Sequence, residues 1–249
     1  MASATKHIAS KWVKHTLLAR DPYLRGHLPK TRLLTKRTFY RYLKRYSSIY
    51  LKPVYGTHGN GIVKIQKNRG RYLVQSGRSK RYYRSRESVA YALSGLFRRP
   101  YLIQKGVHML KLGKRPVDFR MLMLKPDRNW IHLGVIGKRA APKKVVTNLN
   151  SGGRAVSVYR VLVKGKGYSH RSYGRTLGTF ERIGRQVART FSHRYPRVRK
   201  LGLDLAVDRS HRTWILEANT NPGFQLFRRH PDPGLYSRIA RIYRDIRRR

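Results

Sequence analysis

Ten acidic residues stand against 58 lysines and arginines in this chain. Two of the ten, Asp204 and Glu217, fall where the sequence pattern sets them side by side. Leu201, Leu203, Leu205 and Val207 alternate with Gly202, Asp204 and Ala206, the two-residue period of a strand. Residues 213–219 alternate again, with Trp214, Leu216 and Ala218 on one face and Ile215, Glu217 and Asn219 on the other. The polar run 208–212 between them reads as a hairpin loop. Pairing Asp208 with Thr213 puts Asp204 directly opposite Glu217, with Cβ atoms roughly 5 Å apart, and Asn219 shares that face. Two carboxylates so placed repel each other unless something neutralises them. An oxygen-liganded divalent cation does so, and Mg²⁺ is commonly held by one or two carboxylates together with nucleotide phosphates. A slip of one residue in register would separate the faces.

A second candidate lies upstream. Lys52 sits on a short strand, 49–53, and Gly56-Thr57-His58-Gly59-Asn60-Gly61 follows it. Three glycines in six residues permit backbone conformations closed to other residues and let N–H groups approach a ligand. The next run, 62–66, is strand-like, so neither a Walker A loop nor a dinucleotide fingerprint fits, since both open a helix there. What remains is a glycine-rich flap between two antiparallel strands, a shape that can fold over phosphates.

The elements that must position these groups follow from periodicity. A short helix over 6–19 ends at Asp21-Pro22, and a loop with Gly26 and Pro29 follows. A helix spans 38–46. Strands at 71–75 and 80–84 extend the small sheet, and Ser85 caps a helix over 86–97. A strand at 101–105 ends at Gly106, a natural crossing into a second lobe. Strand 117–125 sets Asp118 and Arg120 on one face and Val117, Phe119 and Met121 on the other, and 130–138 returns beside it. Residues 139–157 and 165–178 read as loops. Helices cover 180–191 and the terminal stretch marked by Leu235, Ile239, Ile242 and Ile246.

Composition bounds the function classes. A chain of 249 residues with 40% hydrophobic content supports one large domain or two small ones. The absence of cysteine excludes a disulfide framework, a thiolate metal site and a cysteine nucleophile. The histidines show no ligand spacing for zinc. No signal-peptide run opens the chain and nothing approaches a membrane span, so the expectation is a soluble protein, cytoplasmic at synthesis. The net charge of +48 is spread along the whole length and should attract polyanions. Nucleic acid, acidic polypeptides, wall polymers and nucleotide phosphates are all compatible with it.

In order, L-K-P-V-Y-G-T-H-G-N-G-I (51–62), D-F-R-M-L (118–122), N-L-N-S-G-G (148–153) and G-L-D-L-A-V-D with W-I-L-E-A-N-T-N-P-G (202–223) resemble the ATP-grasp superfamily. The wording is closest to its YheC/YheD-type members, associated with bacterial spore coats. The resemblance implies an α+β ATP-grasp fold, two subdomains with antiparallel sheets enclosing a nucleotide cleft. Residues 1–32 would be a short N-terminal extension, 33–105 the small subdomain with the flap, and 106–249 the C-terminal subdomain with the metal site. It implies ATP and Mg²⁺, the metal held by Asp204, Glu217 and Asn219. Lys52 would contact the α- and β-phosphates under the 56–61 flap, with Lys36 as a second phosphate lysine. Gln104, Lys105 and Val107 would lie along adenine. Arg120 would face the γ-phosphate or an acyl-phosphate, and Lys138 and Arg139 the acceptor side.

The activity so implied is an ATP-dependent carboxylate–amine ligase working through an acyl-phosphate. The charge suggests an acidic peptide or other polyanion as substrate. About thirty residues precede the matching region where such enzymes usually carry a further domain, so a partner or a large substrate would supply that surface. The alternative is a degenerate grasp fold acting as a basic module on nucleic acid or a spore-coat polymer. A kinase-like phosphotransferase using the same nucleotide site is a third reading.

Overall fold

The computed structural model describes residues 8–57, 59–142 and 152–248. The chain opens with α1 (Lys11–Ala19) and α2 (Pro22–His27). Next come β1 (Thr31–Leu33), α3 (Lys36–Arg45), β2 (Ser48–Pro53), β3 (Val63–Asn68), β4 (Arg71–Ser76), β5 (Ser79–Tyr83), α4 (Arg86–Ala92) and β6 (Tyr101–Lys105). Their strands form one antiparallel sheet in the order β1-β6-β2-β3-β4-β5. A capping box between Thr35 and Thr38 starts α3. That helix lays Phe39 and Leu43 over Ile49, Leu51, Ile65 and Ile103 to close the core of this sheet. The other face of β2 carries Tyr50 and Lys52.

The second sheet is built from β7 (Lys111–Leu112), β8 (Arg115–Leu124), β9 (Ile131–Arg139), β10 (Arg154–Val156), β11 (Lys200–Val207) and β12 (Thr213–Asn219). It runs β10-β9-β8-β11-β12, antiparallel throughout, with β7 pairing β8. Val117, Phe119, Met121, Leu203 and Leu205 bury one face against Phe180, Val187 and Phe191 of α5 (His170–Arg194). Each fully buried phenylalanine contributes roughly 1.5–3 kcal/mol relative to exposure. α6 (Leu235–Arg248) covers part of the opposite face through Ile239 and Ile246 against Leu122, Leu124 and Ile136. Strand alternation places Asp118, Arg120 and Asp204 on that same face, beside the part that α6 covers.

The structure departs from the sequence reading in several places, among them residues 154–156, expected as loop, which form β10 against β9. The pair Asp21-Pro22 starts a helix rather than ending the region in a loop: Asp21 accepts a hydrogen bond from the Leu24 amide at 2.9 Å and Pro22 fills the first turn. Residues 165–178 are not all loop, because α5 begins at His170, with Ser169 accepting from the Ser172 amide. Gly174 and Gly178 lie inside that helix with open space where a Cβ would be. Each costs roughly 1 kcal/mol against alanine, and the stripe Tyr173, Thr176, Leu177, Phe180 outweighs them by packing on the core. The helix expected over 86–97 divides into α4 and a 3-10 turn, Ser94–Arg98. Finally, Thr213 pairs with Val207, not Asp208, and a bulge at Leu216 then restores Asp204 opposite Glu217.

Candidate functional site

A row of charge crosses four strands of the second sheet. Arg120 on β8 lies opposite Asp204 on β11, and Asp204 lies opposite Glu217 on β12. Asp118, two residues back from Arg120, lies opposite Lys138 on β9. Directly opposed residues share a face, so all five side chains meet on one surface. Arg120 Nε and Nη2 donate to Asp204 Oδ1 and Oδ2 at 2.8 and 3.1 Å. Lys138 Nζ lies 2.6 Å from Asp204 Oδ1 and 3.2 Å from Asp118 Oδ2. Burial alone would raise the Asp204 carboxyl pKa; the Arg120 and Lys138 charges outweigh burial and hold it well below the usual carboxylate range. Glu217 is engaged from elsewhere, by Lys11 Nζ of α1 at 3.3 Å.

The first sheet supplies the facing wall. Tyr50 opposes Gln104 across β2 and β6. Lys52 Nζ donates to Gln104 Oε1 at 2.6 Å, and Gln104 Nε2 donates to Thr31 Oγ1 at 3.0 Å. Burial lowers the Lys52 pKa, Lys11 adds to that, and Glu217, Asp204 and Asp118 oppose it. The flap needs its glycines: Gly56, Gly59 and Gly61 have φ of 119°, 75° and 72°, in the region disfavoured for side-chain-bearing residues. Both flap ends are tied, Gly56 O accepting from Lys11 Nζ at 2.5 Å and Gly61 O from the Tyr101 hydroxyl at 3.2 Å.

Between these walls lies a cleft of about 500 Å³, within the range of small-molecule sites. Among the described residues, five cationic side chains (Lys11, Lys52, Lys105, Arg120, Lys138) and three carboxylates (Asp118, Asp204, Glu217) line it, leaving two net positive charges. That balance suits the roughly −2 carried by a magnesium-bound triphosphate. Oxygen donors from Asp204, Glu217 and Asn219 face the cleft with no thiolate or imidazole among them, a set suited to Mg²⁺. No group of three or more His, Asp or Glu among the described residues is placed to hold a metal, so such an ion would rest on two carboxylates, an amide and ligand phosphates.

Most of the residues singled out from sequence meet here. Lys52, Gln104, Lys105 and Val107 line the cleft from the first sheet and the segment after it, and Gly56, Thr57, Gly59 and Asn60 line it from the flap. Arg120, Lys138, Asp204, Glu217 and Asn219 line it from the second sheet. Three do not. Lys36 is exposed in the first turn of α3 and does not line the cleft. Gly61 meets the flap anchor Tyr101 rather than the cavity. Arg139 is corrected outright: strand alternation turns it to the face opposite Lys138. There burial, together with Arg115, Arg154 and Arg160, lowers its pKa. His58 and residues 148–151 of the N-L-N-S-G-G motif lie outside the described residues.

Sequence reasoning missed Lys11, Tyr50, Met109, Leu216 and Asn221, all of which line the cleft. Asn221 had a signal, since it continues the Glu217–Asn219 alternation by two. Lys11 had none, because α1 is distant in sequence from every motif.

The chain matches the model of the YheC/D-like ATP-grasp family over residues 3–244. It is 25% identical over 242 residues to the endospore coat-associated protein YheD of Bacillus subtilis (strain 168), covering 91% of this chain and 51% of that protein. It is 21% identical to the endospore coat-associated protein YheC of the same organism, covering 87% of this chain and 60% of that one. The chain thus spans about half to three-fifths of the curated relatives it matches. Among solved structures, it resembles the ADP complex of N5-carboxyaminoimidazole ribonucleotide synthetase (purK) with a TM-score of 0.51 at 11% identity, over 88% of this chain and 46% of that one. It also resembles N5-carboxyaminoimidazole synthase from Aspergillus clavatus in complex with ADP and 5-aminoimidazole ribonucleotide, with a TM-score of 0.52 at 12% identity and the same coverage. These likenesses establish the ATP-grasp fold, and the family match places the chain within it: it belongs to the YheC/D-like ATP-grasp family.

Proposed function

We propose that this protein is an ATP-dependent carboxylate–amine ligase that forms an amide through an acyl-phosphate, on an acidic peptide or other polyanionic substrate. The row Arg120–Asp204–Glu217, with Lys138 beside it and Lys52 and the flap across the cleft, carries the reading. The nucleotide lies between subdomains 33–105 and 106–249. Magnesium held by Asp204, Glu217 and Asn219 supplies neutralisation of phosphate charge. Lys52, steered by Gln104, presents its ammonium to the α- and β-phosphates, and the flap closes over them. Gln104, Lys105 and Val107 border adenine.

Arg120 uses Nε and Nη2 on Asp204, so Nη1 is the atom available to the γ-phosphate. A substrate carboxylate oxygen attacks the γ-phosphorus as the bond to ADP breaks. The amine then attacks the acyl carbon, loses its proton and displaces phosphate. Lys138 stabilises the developing oxyanions. Most of the rate enhancement is positioning and charge stabilisation.

The preference for a polyanion is supported by the arginines around Arg139. Arg154 is its direct cross-strand partner, and Arg115 lies two residues before Val117, its other partner. Among the described residues none of Arg115, Arg139, Arg154 and Arg160 forms an ion pair. Guanidinium clusters of this kind suit multivalent carboxylate. A place in the spore coat belongs to the same proposal, by likeness to the relatives' names, and synthesis in the cytoplasm is proposed with it from the sequence pattern alone. Among the described residues no helix is long and apolar enough to cross a membrane.

The test is ADP release with Mg·ATP and polyglutamate peptides, comparing wild type with Glu217→Gln. Equal rates contradict the proposal. The same arginine cluster favours a second reading, a basic binding module for nucleic acid or a coat polymer. That reading predicts steeply salt-dependent polyanion binding that ignores both ATP and Glu217→Gln.

A further inference from the structure

We propose that the outer face of α5 is a docking track for an extended acidic polypeptide, outside the nucleotide cleft. The inference deepens the acidic-substrate reading and rests on it, while its test needs no nucleotide.

Phe180, Ile183, Val187 and Phe191 bury the core side of α5. On its far side stand Arg171, Arg175, Arg182, Arg185 and Arg189, all exposed. At 3.6 residues per turn the five fall within roughly 80° of arc and span roughly 27 Å of helix. Gly174, Gly178 and His193 are the other exposed residues of this face. The whole helix carries six arginines and no lysine.

A helix face made only for solvent usually mixes the two signs, with acids and bases three or four residues apart. Here Glu181 is the one acid in the helix, and it pairs with Arg185 at 2.6 Å. Among the described residues the other four arginines form no ion pair. Arg182 lies over the Tyr23 ring, 5.9 Å from its centroid, which braces it against α2. Like charges three or four residues apart, as in Arg171 with Arg175 and Arg185 with Arg182 and Arg189, destabilise a helix. So do Gly174 and Gly178, which have nothing within 4 Å of where a Cβ would lie. An anionic chain laid along this face relieves the repulsion, and the glycines leave its backbone room to approach.

The residue types select the anion. Guanidinium forks bind carboxylate through two parallel hydrogen bonds, which lysine cannot do. No phenylalanine, tyrosine or tryptophan is exposed along the helix to stack a base, and no asparagine or glutamine to read a base edge. Arginines at i and i+4 are separated by a rise of roughly 6 Å, close to the roughly 6.6 Å between same-side residues of an extended peptide. The ridge also leads towards the cleft. Its N-terminal end adjoins Tyr159, whose ring lies 5.7 Å from that of Tyr173 and 6.5 Å from that of His170. Arg160 follows and acts on Arg139, the neighbour in β9 of Lys138, which lines the cleft.

The experiment is fluorescence anisotropy of labelled polyglutamate peptides of increasing length with nucleotide-free wild type, with Arg171→Gln/Arg175→Gln/Arg189→Gln, and with the same three arginines changed to lysine. Affinity for wild type is expected to rise steeply up to about eight residues, the extended length that covers the ridge. The glutamine variant is expected to bind the longer peptides about tenfold or more weakly, and the lysine variant a few-fold more weakly, since it keeps charge and loses the fork. Because glutamine removes like-charge pairs from an exposed face, that variant is expected to melt no lower than wild type. Should it melt lower, the lysine variant decides: weaker binding supports the track and equal binding overturns it. Equal affinity in wild type and a stably folded glutamine variant overturns this inference and leaves the ligase reading standing. Tighter binding of duplex DNA of matched charge, lost in the glutamine variant, overturns the polypeptide assignment. Peptide binding through these arginines with no ADP release on any acidic peptide overturns the ligase reading alone.

Discussion

Arg120 grips Asp204 at both carboxylate oxygens, Nε to Oδ1 at 2.8 Å and Nη2 to Oδ2 at 3.1 Å, with the two side chains only 17% and 13% exposed. An ion pair this secluded is held together as much by the desolvation cost of breaking it as by its own attraction. Replacing Arg120 by Met leaves Asp204 with Lys138 alone. The expected loss is about 3 kcal/mol of unfolding free energy, measured by urea titration. The double variant Arg120→Met/Asp204→Leu, which removes both charges, is expected to regain at least half of that loss.

Gly202 sits opposite Asn219 in the hairpin, and a Cβ there would lie 2.5 Å from Pro222 Cβ and 3.4 Å from Arg120 Nη1. A proline ring anchored in its own backbone yields less readily than the end of a flexible side chain. Gly202→Ala is therefore expected to cost about 1–3 kcal/mol by overpacking. Because Pro222 also lines the cleft, the same substitution is expected to weaken Mg·ATP binding. Thermal unfolding and calorimetry read the two effects separately.

His15 gives the protein an acid-sensitive step that begins above the carboxylate range and runs down into it. Burial, with Arg32 and Lys52 adding to it, pushes its pKa down from 6.5 to about 4. The folded state thus favours the neutral ring, and the unfolded chain binds the proton more readily. Stability from this group is complete above pH 6.5 and is lost as pH falls towards 4, by about 3 kcal/mol across that window. His15→Gln is expected to flatten the dependence of unfolding free energy on pH between 6.5 and 4. An unchanged slope would show that other groups carry it.

The sequence carried the site further than it carried the frame. Asp204 and Glu217 could be paired on paper because a hairpin has one period and few registers. The strands meet one residue away from the Asp208–Thr213 register at the loop, and the bulge at Leu216, invisible to alternation, brings Asp204 and Glu217 opposite each other. Lys52, Asp118 and Arg120 were legible for the same reason, being strand residues whose face follows from parity. Helix ends were less legible. Asp21-Pro22 fits both a stop and an N-terminal cap, and only the Leu24 amide decides between them. Gly174 and Gly178 argued for a loop that the buried stripe of α5 overrides. Arg139 was misplaced because adjacency to Lys138 in a strand means opposite faces. Lys11 lay beyond reach, since only tertiary packing brings α1 against the flap and β12.

The central claim is that Asp204, Glu217 and Asn219 hold magnesium beneath a nucleotide triphosphate. Calorimetric titration of ATP into wild type and Glu217→Gln, each with Mg²⁺ and with chelator, tests it most directly. The account predicts uptake of ATP by wild type that depends on Mg²⁺, and affinity at least tenfold weaker in Glu217→Gln, equivalent to about 1.4 kcal/mol. Equal affinity with and without Mg²⁺ in both proteins, or no uptake of ATP by wild type, would contradict it.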